Sequence, residues 1–576
     1  MKNHIIFCLC GLLVLMRTCV SCAEDLILTP SGKTLPEACE EISDGGTIYL
    51  EPGTYTLAEP LVLRKNVRII GKCTDRGEVV LKGRKENVLC LENGFIEVKN
   101  MTIKNLENSG NSARICAVLV YSPNCVFENC LFTAENGSGF IAARQDPSSL
   151  VTNCAAQNCG FYGFLLSNGT KGKFMNCEAG GNTLSGILIQ DNGTDPMLIK
   201  CRFVENQEHG ICTVDGAHGT FSDCEAVGNR YCGITVENSG TDPKVENCRF
   251  SNNQEAGIHI VNGASGRFTQ CESNGNSLYG IQIRLGKTAP VMEKCRFANN
   301  RGAGMDLKEG ACGTFTDCES VENENSGLVM RDSGTAPTLK NCLFANNRVA
   351  GIVIAGGASG TLSDCNANGN FLDGIGIQDC GTDPTLEKCQ FQNNRDVGIR
   401  IRYGASGKIT ACETSGNKIG IFIQSAGTDP TVEGSRFMNE QESGIFVCEG
   451  AAGTFTSCES SWNQFGITVM GTETAPTVEK CHFSKNKLGG IFALNGAFGT
   501  FTDCESSGND LGLVLKDRGT NPKAERCRMV KNNIGIYIME SAQGVFRNNI
   551  LMGNEKKNWY IEKNCFPVRF LNIPNE

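Results

Sequence analysis

The stretch "GTDPKVENCRFSNNQEAGIHIVNGASGRFTQCESNGNSLYGIQI", residues 240–283, decides the fold because its second half repeats its first half. The segment C-R-F-S-N-N-x-x-x-G-I-x-I returns as C-E-S-N-G-N-x-x-x-G-I-x-I, 23 residues later. Apolar residues alternate with other residues in each half, as at Ile258 and Ile260, which is the period of a β-strand. Each half is therefore interpreted as one coil of short strands separated by turns.

The same unit continues along the chain. The proline of its G-T-x-P turn recurs at spacings of 47 and then 46 residues, at Pro196, Pro243, Pro290, Pro337, Pro384, Pro430, Pro476 and Pro522. A fixed period indicates one elongated solenoid, not the three or four globular domains that 576 residues would otherwise suggest. We predict an all-β fold, a single-stranded right-handed parallel β-helix with 23–24-residue coils in 46–47-residue pairs.

A cysteine ladder supports this fold, with Ser435 filling its one internal gap. The ladder contains Cys130, Cys154, Cys177, Cys201, Cys224, Cys248, Cys271, Cys295, Cys318, Cys342, Cys365, Cys389, Cys412, Cys458, Cys481, Cys504 and Cys527. Parallel strands in register hold equivalent Cβ atoms about 4.8 Å apart, whereas a disulfide needs about 3.8 Å. The ladder is therefore predicted to be reduced and packed as small apolar side chains. Twelve cysteines outside the ladder and the leader segment remain open to pairing.

Two further ladders run in register with the cysteines. Asparagine recurs five residues after each of them, from Asn182 to Asn554, with Glu440 as the exception. Asparagine tolerates left-handed backbone, and its amide can bond the coils above and below. The glycine of the G-I pair recurs from Gly186 to Gly535. We expect that glycine to bend the chain with a positive φ.

The residue after each ladder cysteine alternates in sign over much of the chain. The series runs Arg202, Glu225, Arg249, Glu272, Arg296 and Glu319, and resumes as Glu413, Arg436, Glu459, His482, Glu505 and Arg528. Opposite charges on neighbouring strands attract one another weakly. The alternation favours a structural role over a ligand-binding stripe, which would hold one sign. It also indicates why the repeating unit contains two coils.

The first 23 residues read as a secretory signal, with Lys2, an apolar run over residues 5–16, and Ser21 and Ala23 before the cleavage position. A membrane anchor or a lipid-modified Cys22 is the alternative. Localisation is therefore predicted as secreted, periplasmic or at the cell surface. No later run is long enough for a transmembrane segment. A net charge of −9 argues against nucleic acid as a partner.

The repeat unit N-P-T-L-x-x-C-x-F-x-x-N-x-x-x-G-I resembles the pectate-lyase-like right-handed β-helix superfamily over roughly residues 34–555. It is especially similar to the carbohydrate-binding and sugar-hydrolase repeats of β-helix F-box and epimerase-like proteins. The stretch "GGTIYLEPGTYTLAEPLVLRKNVRIIGK", residues 45–72, is similar to the first strands of that superfamily. The resemblance implies a polysaccharide-related function.

Four segments are predicted along the chain. Residues 1–23 form the signal, and residues 24–110 form an N-terminal cap and the first coils. The repeats occupy residues 111–555, and residues 556–576 form a C-terminal cap. Thr34 and Glu37 read as a capping box with Pro36 in the first helical turn. Such a helix would cover the open sheet edge at that end.

The outward residues of the G-I-x-I strands give the candidate site. A polar and largely cationic middle section gives way to an aromatic C-terminal third. The candidate ligand-binding residues are His259, Arg284, Asp306, Lys308, Arg331, Arg400 and Arg402. Local neutralisation by Asp306, Glu309 and Asp332 is the structural alternative. No cofactor or metal is predicted, because a linear stack of thiols cannot surround zinc.

Two function classes remain open on these residues. One is non-catalytic binding of an acidic or other polysaccharide, or of a surface protein, along the flat faces. The other is a polysaccharide lyase or uronate epimerase, in which cations would stabilise the substrate carboxylate as its α-proton leaves. The superfamily's D-P-H-D, N-T-D, G-H-G and R-x-P-x-x-R motifs are absent from the sequence. The sequence therefore favours binding over catalysis.

Overall fold

The computed structural model describes residues 24–107, 115–144 and 149–574. These residues form a single parallel β-solenoid of about 23 coils, which confirms the predicted all-β class and coil length. Each regular coil has three short strands, and each strand pairs in parallel with its equivalent in the next coil. The predicted signal, including Cys22, lies outside the described residues.

The glycine face is the sheet formed by the strand that follows the G-I glycine in each coil. Its strands are Leu61–Leu63, Asn87–Leu91, Cys116–Val120, Ser138–Ala143, Phe164–Ser167, Ile187–Gln190, Ile211–Val214, Ile234–Glu237, Ile258–Val261, Ile281–Arg284, Met305–Leu307, Leu328–Met330, Ile352–Ile354, Ile375–Gln378, Val397–Arg402, Ile419–Gln424, Ser443–Cys448, Phe465–Met470, Gly489–Leu494, Leu511–Leu515, Ile534–Ile538 and Lys557–Ile561.

The threonine face is formed by the strand that precedes each ladder cysteine. Its strands are Leu150–Thr152, Lys173–Met175, Met197–Ile199, Thr220–Ser222, Lys244–Glu246, Arg267–Thr269, Val291–Glu293, Thr314–Thr316, Thr338–Lys340, Thr361–Ser363, Thr385–Glu387, Lys408–Thr410, Thr431–Glu433, Thr454–Thr456, Thr477–Glu479, Thr500–Thr502, Lys523–Glu525, Val545–Arg547 and Val568–Phe570.

The charged face is formed by the strand that follows each ladder cysteine. Its strands are Ala155–Gln157, Glu178–Gly180, Arg202–Val204, Glu225–Val227, Arg249–Ser251, Glu272–Asn274, Arg296–Ala298, Glu319–Val321, Leu343–Ala345, Asn366–Asn368, Gln390–Gln392, Glu413–Ser415, Arg436–Met438, Glu459–Ser461, His482–Ser484, Glu505–Ser507 and Arg528–Val530.

The first coils are less regular. Their remaining strands, which extend the threonine and charged faces, are Asp25–Leu28, Thr47–Leu50, Gly53–Thr56, Val67–Gly71, Val79–Gly83, Phe95–Asn105 and Asn124–Ala134. One helix, Leu35–Glu41, buries Leu35, Ala38 and Cys39 against this end of the solenoid. The predicted capping box is present, with the Thr34 backbone N–H donating to the Glu37 carboxylate at 3.0 Å. No helix among residues 24–107, 115–144 and 149–574 has the length and apolar character to span a membrane.

The core explains the doubled repeat as fully as the outer charges do. The coil around Cys248 places Val245 and Phe250 in the core, and the coil around Cys271 places Phe268 and Ser273 there. All four side chains are fully buried. The large ring thus changes face from one coil to the next and packs over a small side chain in the neighbouring coil. An unbroken stack of rings on one face would leave less room on that face and a void on the other.

The asparagine ladder is confirmed as a hydrogen-bonded stack, but its backbone differs from expectation. The Asn253 side-chain amide donates to Asn276 Oδ1 at 3.0 Å and to the Ala226 carbonyl at 3.2 Å. The Asn253 backbone N–H donates to Asn276 Oδ1 as well, at 3.0 Å. The left-handed residue is Asn252, one position earlier, with φ of 56°. The ladder asparagine is therefore selected for its amide and not for its backbone freedom.

The expected positive φ at the G-I glycines is wrong. Gly351 is not left-handed, and the same holds for its equivalents from Gly186 to Gly535. A Cβ at Gly351 would lie 2.7 Å from the Ala367 Cβ and 2.7 Å from the Gly374 carbonyl oxygen. Glycine is needed there because successive coils approach too closely for any side chain.

The ladder thiols and the outer charges behave as predicted. All 29 described cysteines are free, and the ladder cysteines are buried. Cys248 Sγ, for example, lies 3.3 Å from the Glu246 carbonyl oxygen. On the charged face, Arg249 lies 3.5 Å from the Glu225 carboxylate and 3.3 Å from the Glu272 carboxylate. Arg202 and Arg436 also bridge the coils on either side of them, whereas Arg296 and Arg528 each pair with a glutamate on one side.

Candidate functional site

The seven predicted site residues lie on the outer side of the glycine face, but they form two groups. His259 pairs in register with Gln282, and Gln282 pairs with Asp306. Two coils, Ile352–Ile354 and Ile375–Gln378, separate these residues and Arg331 from Arg400 and Arg402. The structure therefore gives two polar sections of the face and not one continuous cationic strip.

Arg331 and Asp306 neutralise each other in the first section. The Arg331 Nη2 atom donates to Asp306 Oδ1 at 2.6 Å, and the Gln282 amide donates to Asp306 Oδ2 at 3.0 Å. Asp306 belongs to the outward row, yet its side chain is fully buried beneath these groups. Burial lowers the pKa of the Arg331 guanidinium, but the hydrogen bond to Asp306 and its negative charge raise it. The net result is a raised pKa. Arg331 therefore stays charged but is already paired.

Tyr279 belongs to the same group and was missed by sequence reasoning. It occupies the position just before the G-I glycine, outside the two outward columns that were considered. Burial, and then the Asp306 carboxylate, raise the pKa of the Tyr279 phenol. The phenol thus remains protonated at neutral pH, next to the Arg331 guanidinium. The sequence could have indicated Tyr279, because the residues that directly precede the G-I glycines recur with the same period as the outward residues of the strands.

Arg400 and Arg402 form the second section, and both are bound to neighbouring side chains. Arg400 donates to both oxygens of Asp373, at 2.8 and 3.1 Å, and to Asp396 at 2.6 Å. Arg402 donates to Gln378 Oε1 at 2.8 and 3.1 Å. Fork-shaped contacts of this kind fix a guanidinium firmly. The Arg400 side chain is only 14% exposed, so this section is primarily structural.

His259, Arg284 and Lys308 retain free binding capacity. Thr235 Oγ1 lies 3.2 Å from His259 Nδ1, while His259 Nε2 is buried without a hydrogen-bond partner among the residues that the structure describes. Arg284 Nε is also buried, and no partner for it lies within residues 24–107, 115–144 and 149–574. Lys308 Nζ has only a long contact of 3.8 Å to the Glu309 carboxylate. Burial, and then the Arg284 charge, lower the pKa of His259 to about 4, so the imidazole is neutral at pH 7.

The C-terminal third of the same face is aromatic, and its outward rings pack against one another. Phe422 and Phe446 stack with centroids 5.1 Å apart and planes 10° apart, and Phe465 and Phe492 stack at 5.0 Å and 13°. The Arg400 guanidinium covers the other end of this row, 5.2 Å from the Phe422 centroid. Because ring faces meet each other along the helix axis, they are not presented to a ligand outside the sheet.

The first section carries nitrogen donors and positive charges on its outer side. A neutral imidazole, a guanidinium and an ammonium group lie there on three successive coils. No group of three or more His, Cys, Asp or Glu residues within the described ranges is arranged to hold a metal ion.

Comparison with known proteins identifies the family of the repeats. The family model described as right-handed beta helix region matches residues 86–250, 194–338, 326–474 and 431–572, which is most of the chain. No curated protein sequence matches significantly.

Among solved structures, the chain is similar to the Agl-KA catalytic domain, with 14% identity, a TM-score of 0.34, and coverage of 59% of this chain and 64% of that one. It is similar to the Azotobacter vinelandii mannuronan C-5 epimerase AlgE4 A-module, with 15% identity, a TM-score of 0.28, and coverage of 60% and 86%. It is also similar to the PL6 family alginate lyase AlyGC, with 11% identity, a TM-score of 0.28, and coverage of 95% and 99%. At these identities the likeness concerns the fold alone.

Proposed function

The chain belongs to the right-handed β-helix family, and from this premise we propose that it is a secreted, non-catalytic protein that binds an acidic polysaccharide along its glycine face. The observation that carries the proposal is the first polar section, where Arg284 and His259 hold buried nitrogen atoms with no partner. Buried polar groups are normally hydrogen-bonded, so unpaired ones point to a group that the chain itself does not supply.

The charge of the site supports an anionic ligand. Arg284, Lys308 and Arg331 project from three successive coils of a protein whose net charge is −9. Like charges on adjacent strands destabilise a sheet, whereas the charged face alternates its signs. Repeated cations at the coil spacing of about 4.8 Å suit a chain that carries an anionic group at regular intervals. A protein partner would need an equally extended acidic edge.

Catalysis is the second candidate, and one observation favours it. His259 is neutral because burial and Arg284 lower its pKa to about 4, so it can act as a base at neutral pH. Arg284 and Lys308 would stabilise a uronate carboxylate while its α-proton leaves. This chemistry would make the protein a lyase or an epimerase.

The test compares two triple variants with the same change in charge. Replacing Arg284, Lys308 and Arg331 with Ala should abolish binding of uronate oligosaccharides in isothermal titration calorimetry. Replacing Arg202, Arg249 and Arg296 on the charged face with Ala should leave that binding intact. Equal loss in both variants would assign binding to overall charge and overturn the proposal. Release of unsaturated or epimerised sugars by the native protein would establish the catalytic candidate instead.

Secretion is tested separately from binding. Cleavage after Ala23 predicts an exported protein whose first residue is Glu24, measured by intact mass. A lipid-modified N-terminal Cys22, or retention of residues 1–23 in the membrane fraction, would contradict release from the cell.

A further inference from the structure

The five cations of the predicted site differ in one decisive respect. Arg331, Arg400 and Arg402 have hydrogen-bond partners within 2.8 Å, and Lys308 has a carboxylate at 3.8 Å. The Arg284 guanidinium has no ion pair or hydrogen bond within the described part of the chain, and its Nε is buried. A buried guanidinium nitrogen without a partner has lost its hydration and gained no hydrogen bond in return, which destabilises the folded state. Among the five cations of the predicted site, Arg284 is therefore the one whose guanidinium is left unsatisfied within the described residues.

His259 presents a second unsatisfied nitrogen beside it. Its coil precedes that of Arg284, with Val261 opposite Arg284 in the register. Thr235, on the other side, holds Nδ1 at 3.2 Å and so fixes the ring orientation. When the Thr235 hydroxyl donates to Nδ1, Nε2 carries the hydrogen. His259 Nε2 and Arg284 Nε, on neighbouring strands of the glycine face, are then two buried N–H groups without an acceptor among the described residues.

We propose that His259 Nε2 and Arg284 form the subsite that receives the carboxylate of a uronate residue. This subsite deepens the proposed function and rests on it, since it names the group of the glycan that the face recognises. A planar carboxylate accepts two hydrogen bonds from separate donors, and Arg is the side chain best suited to that geometry. Lys308, one coil further, would attract the next anionic group along the polymer.

Binding at this subsite should take up a proton. The groups around His259 are Thr235 and Gln282 on the adjacent strands and the cations Arg284 and Lys308, with His209 also contributing to its lowered pKa. Glu237, on the strand before His259, accepts a hydrogen bond from the Asn262 side chain at 2.9 Å. A bound carboxylate favours the imidazolium form and raises the pKa of His259. Affinity should therefore increase as the pH falls from 8 towards 5.

The experiment measures uronate oligosaccharide binding by calorimetry at several pH values. Arg284→Gln should weaken binding at least tenfold, and His259→Gln should remove the pH dependence. Arg249→Gln, which removes the same charge from the charged face, should leave both unchanged. The melting temperatures of the Arg284 and His259 variants should be unchanged or higher, because each substitution replaces a buried, unpartnered nitrogen with a flexible neutral amide that can turn towards solvent. A carboxyl-reduced oligosaccharide should not bind.

Several results would overturn the subsite. If Arg284→Gln binds like the native protein while the triple Ala variant does not, the subsite is wrong and the proposed function stands. If a sulfated neutral oligosaccharide binds more tightly than the uronate, the recognised anion is a sulfate ester. If the native protein binds no acidic glycan, the proposed function fails. The subsite is then tested alone, by adding glucuronate to the protein and following the His259 side chain by NMR. In that titration, an unchanged His259 side-chain nitrogen resonance rejects it.

Discussion

The two halves of the glycine face share one scaffold and differ in what they present to solvent. Strands from Ile187–Gln190 to Ile375–Gln378 have three or four residues, and strands from Val397–Arg402 to Gly489–Leu494 have six. Several later coils have one residue fewer between the ladder asparagine and the glycine, as between Asn417 and Gly420. The residue before the glycine then joins the sheet, as Phe465 does opposite Gly489.

The two halves also differ in whether their outward side chains are already paired within the protein. In the later coils the outward rings stack on each other and Arg400 is bound by two carboxylates. In the earlier coils His259 and Arg284 keep unsatisfied nitrogen atoms. The three ladders are common to both halves, so the scaffold does not require the polar row. Its unpaired groups are therefore the feature that needs a functional explanation.

The largest expected effect tests whether both halves of the glycine face need the glycine ladder for stability. Gly351→Ala in the earlier half and Gly466→Ala in the later half should each lower the free energy of unfolding by about 4 kcal/mol, because the added Cβ meets rigid neighbours. At Gly466 that atom would lie 2.5 Å from the Gly490 carbonyl oxygen. Chemical denaturation followed by circular dichroism measures the loss.

Gly376→Ala is the matched control for both variants. It lies on the outward side of the same face, and an added Cβ would have no atom within 4 Å. Its stability should stay within about 0.5 kcal/mol of the native protein. A similar loss in all three variants would contradict close approach of coils as the reason for the glycine ladder.

The second effect concerns the single interruption of the asparagine ladder. Glu440 is buried, accepts bonds from the Thr414 hydroxyl and the Asn417 backbone N–H at 2.6 Å each, and has a pKa raised to about 7 by burial. Its value when unfolded is about 4.5. The folded state therefore holds the proton more tightly, and stability is lost as the pH rises from about 4.5 to 7.

Glu440→Asn should restore the ladder and abolish this pH dependence. The Asn amide can donate to Asn463 Oδ1, which an ionised carboxylate cannot do. At pH 8 the variant should be more stable than the native protein by about 3 kcal/mol, the equivalent of the pKa shift. Glu440→Gln serves as the control for charge alone. Identical melting temperatures of the native protein at pH 5 and pH 8 would reject the buried carboxylate as a source of instability.

The sequence predicts the scaffold well because each ladder is a local pattern repeated in register. The alternation at Ile258 and Ile260 fixes the inward and outward sides, and the charge alternation around Arg249 fixes which coils adjoin. The role of Gly351 was misread because close approach between coils leaves no mark on the local sequence. Arg400 was taken as free because its partner Asp373 lies in the turn of the preceding coil. Pairing across coils, and not the type of residue, decides which cations remain available.

The third effect separates the two halves by function. Phe446→Ala should cost about 2 kcal/mol of stability through the lost ring stack and burial, while uronate binding is unchanged. His259→Ala should show the reverse, with weaker binding and a melting temperature that is unchanged or higher. Parallel calorimetry and thermal unfolding of both variants measure the two outcomes. Loss of binding in Phe446→Ala would extend the binding surface into the aromatic half.

The smallest effect concerns the charged face, whose paired Arg249 is compared with the unpaired Arg284 of the glycine face. Arg249 bridges Glu225 and Glu272, but its side chain is 55% exposed, and pairs of this kind contribute at most about 1 kcal/mol. Arg249→Ala should therefore lower the free energy of unfolding by about 0.5 kcal/mol in low salt. The loss should vanish at 1 M salt, where the Debye length is about 3 Å. Arg284→Ala should show no stability loss at either salt concentration, because it has no partner to lose. A destabilisation of Arg284→Ala equal to that of Arg249→Ala would place both arginines in the same structural role and remove the contrast between the two faces.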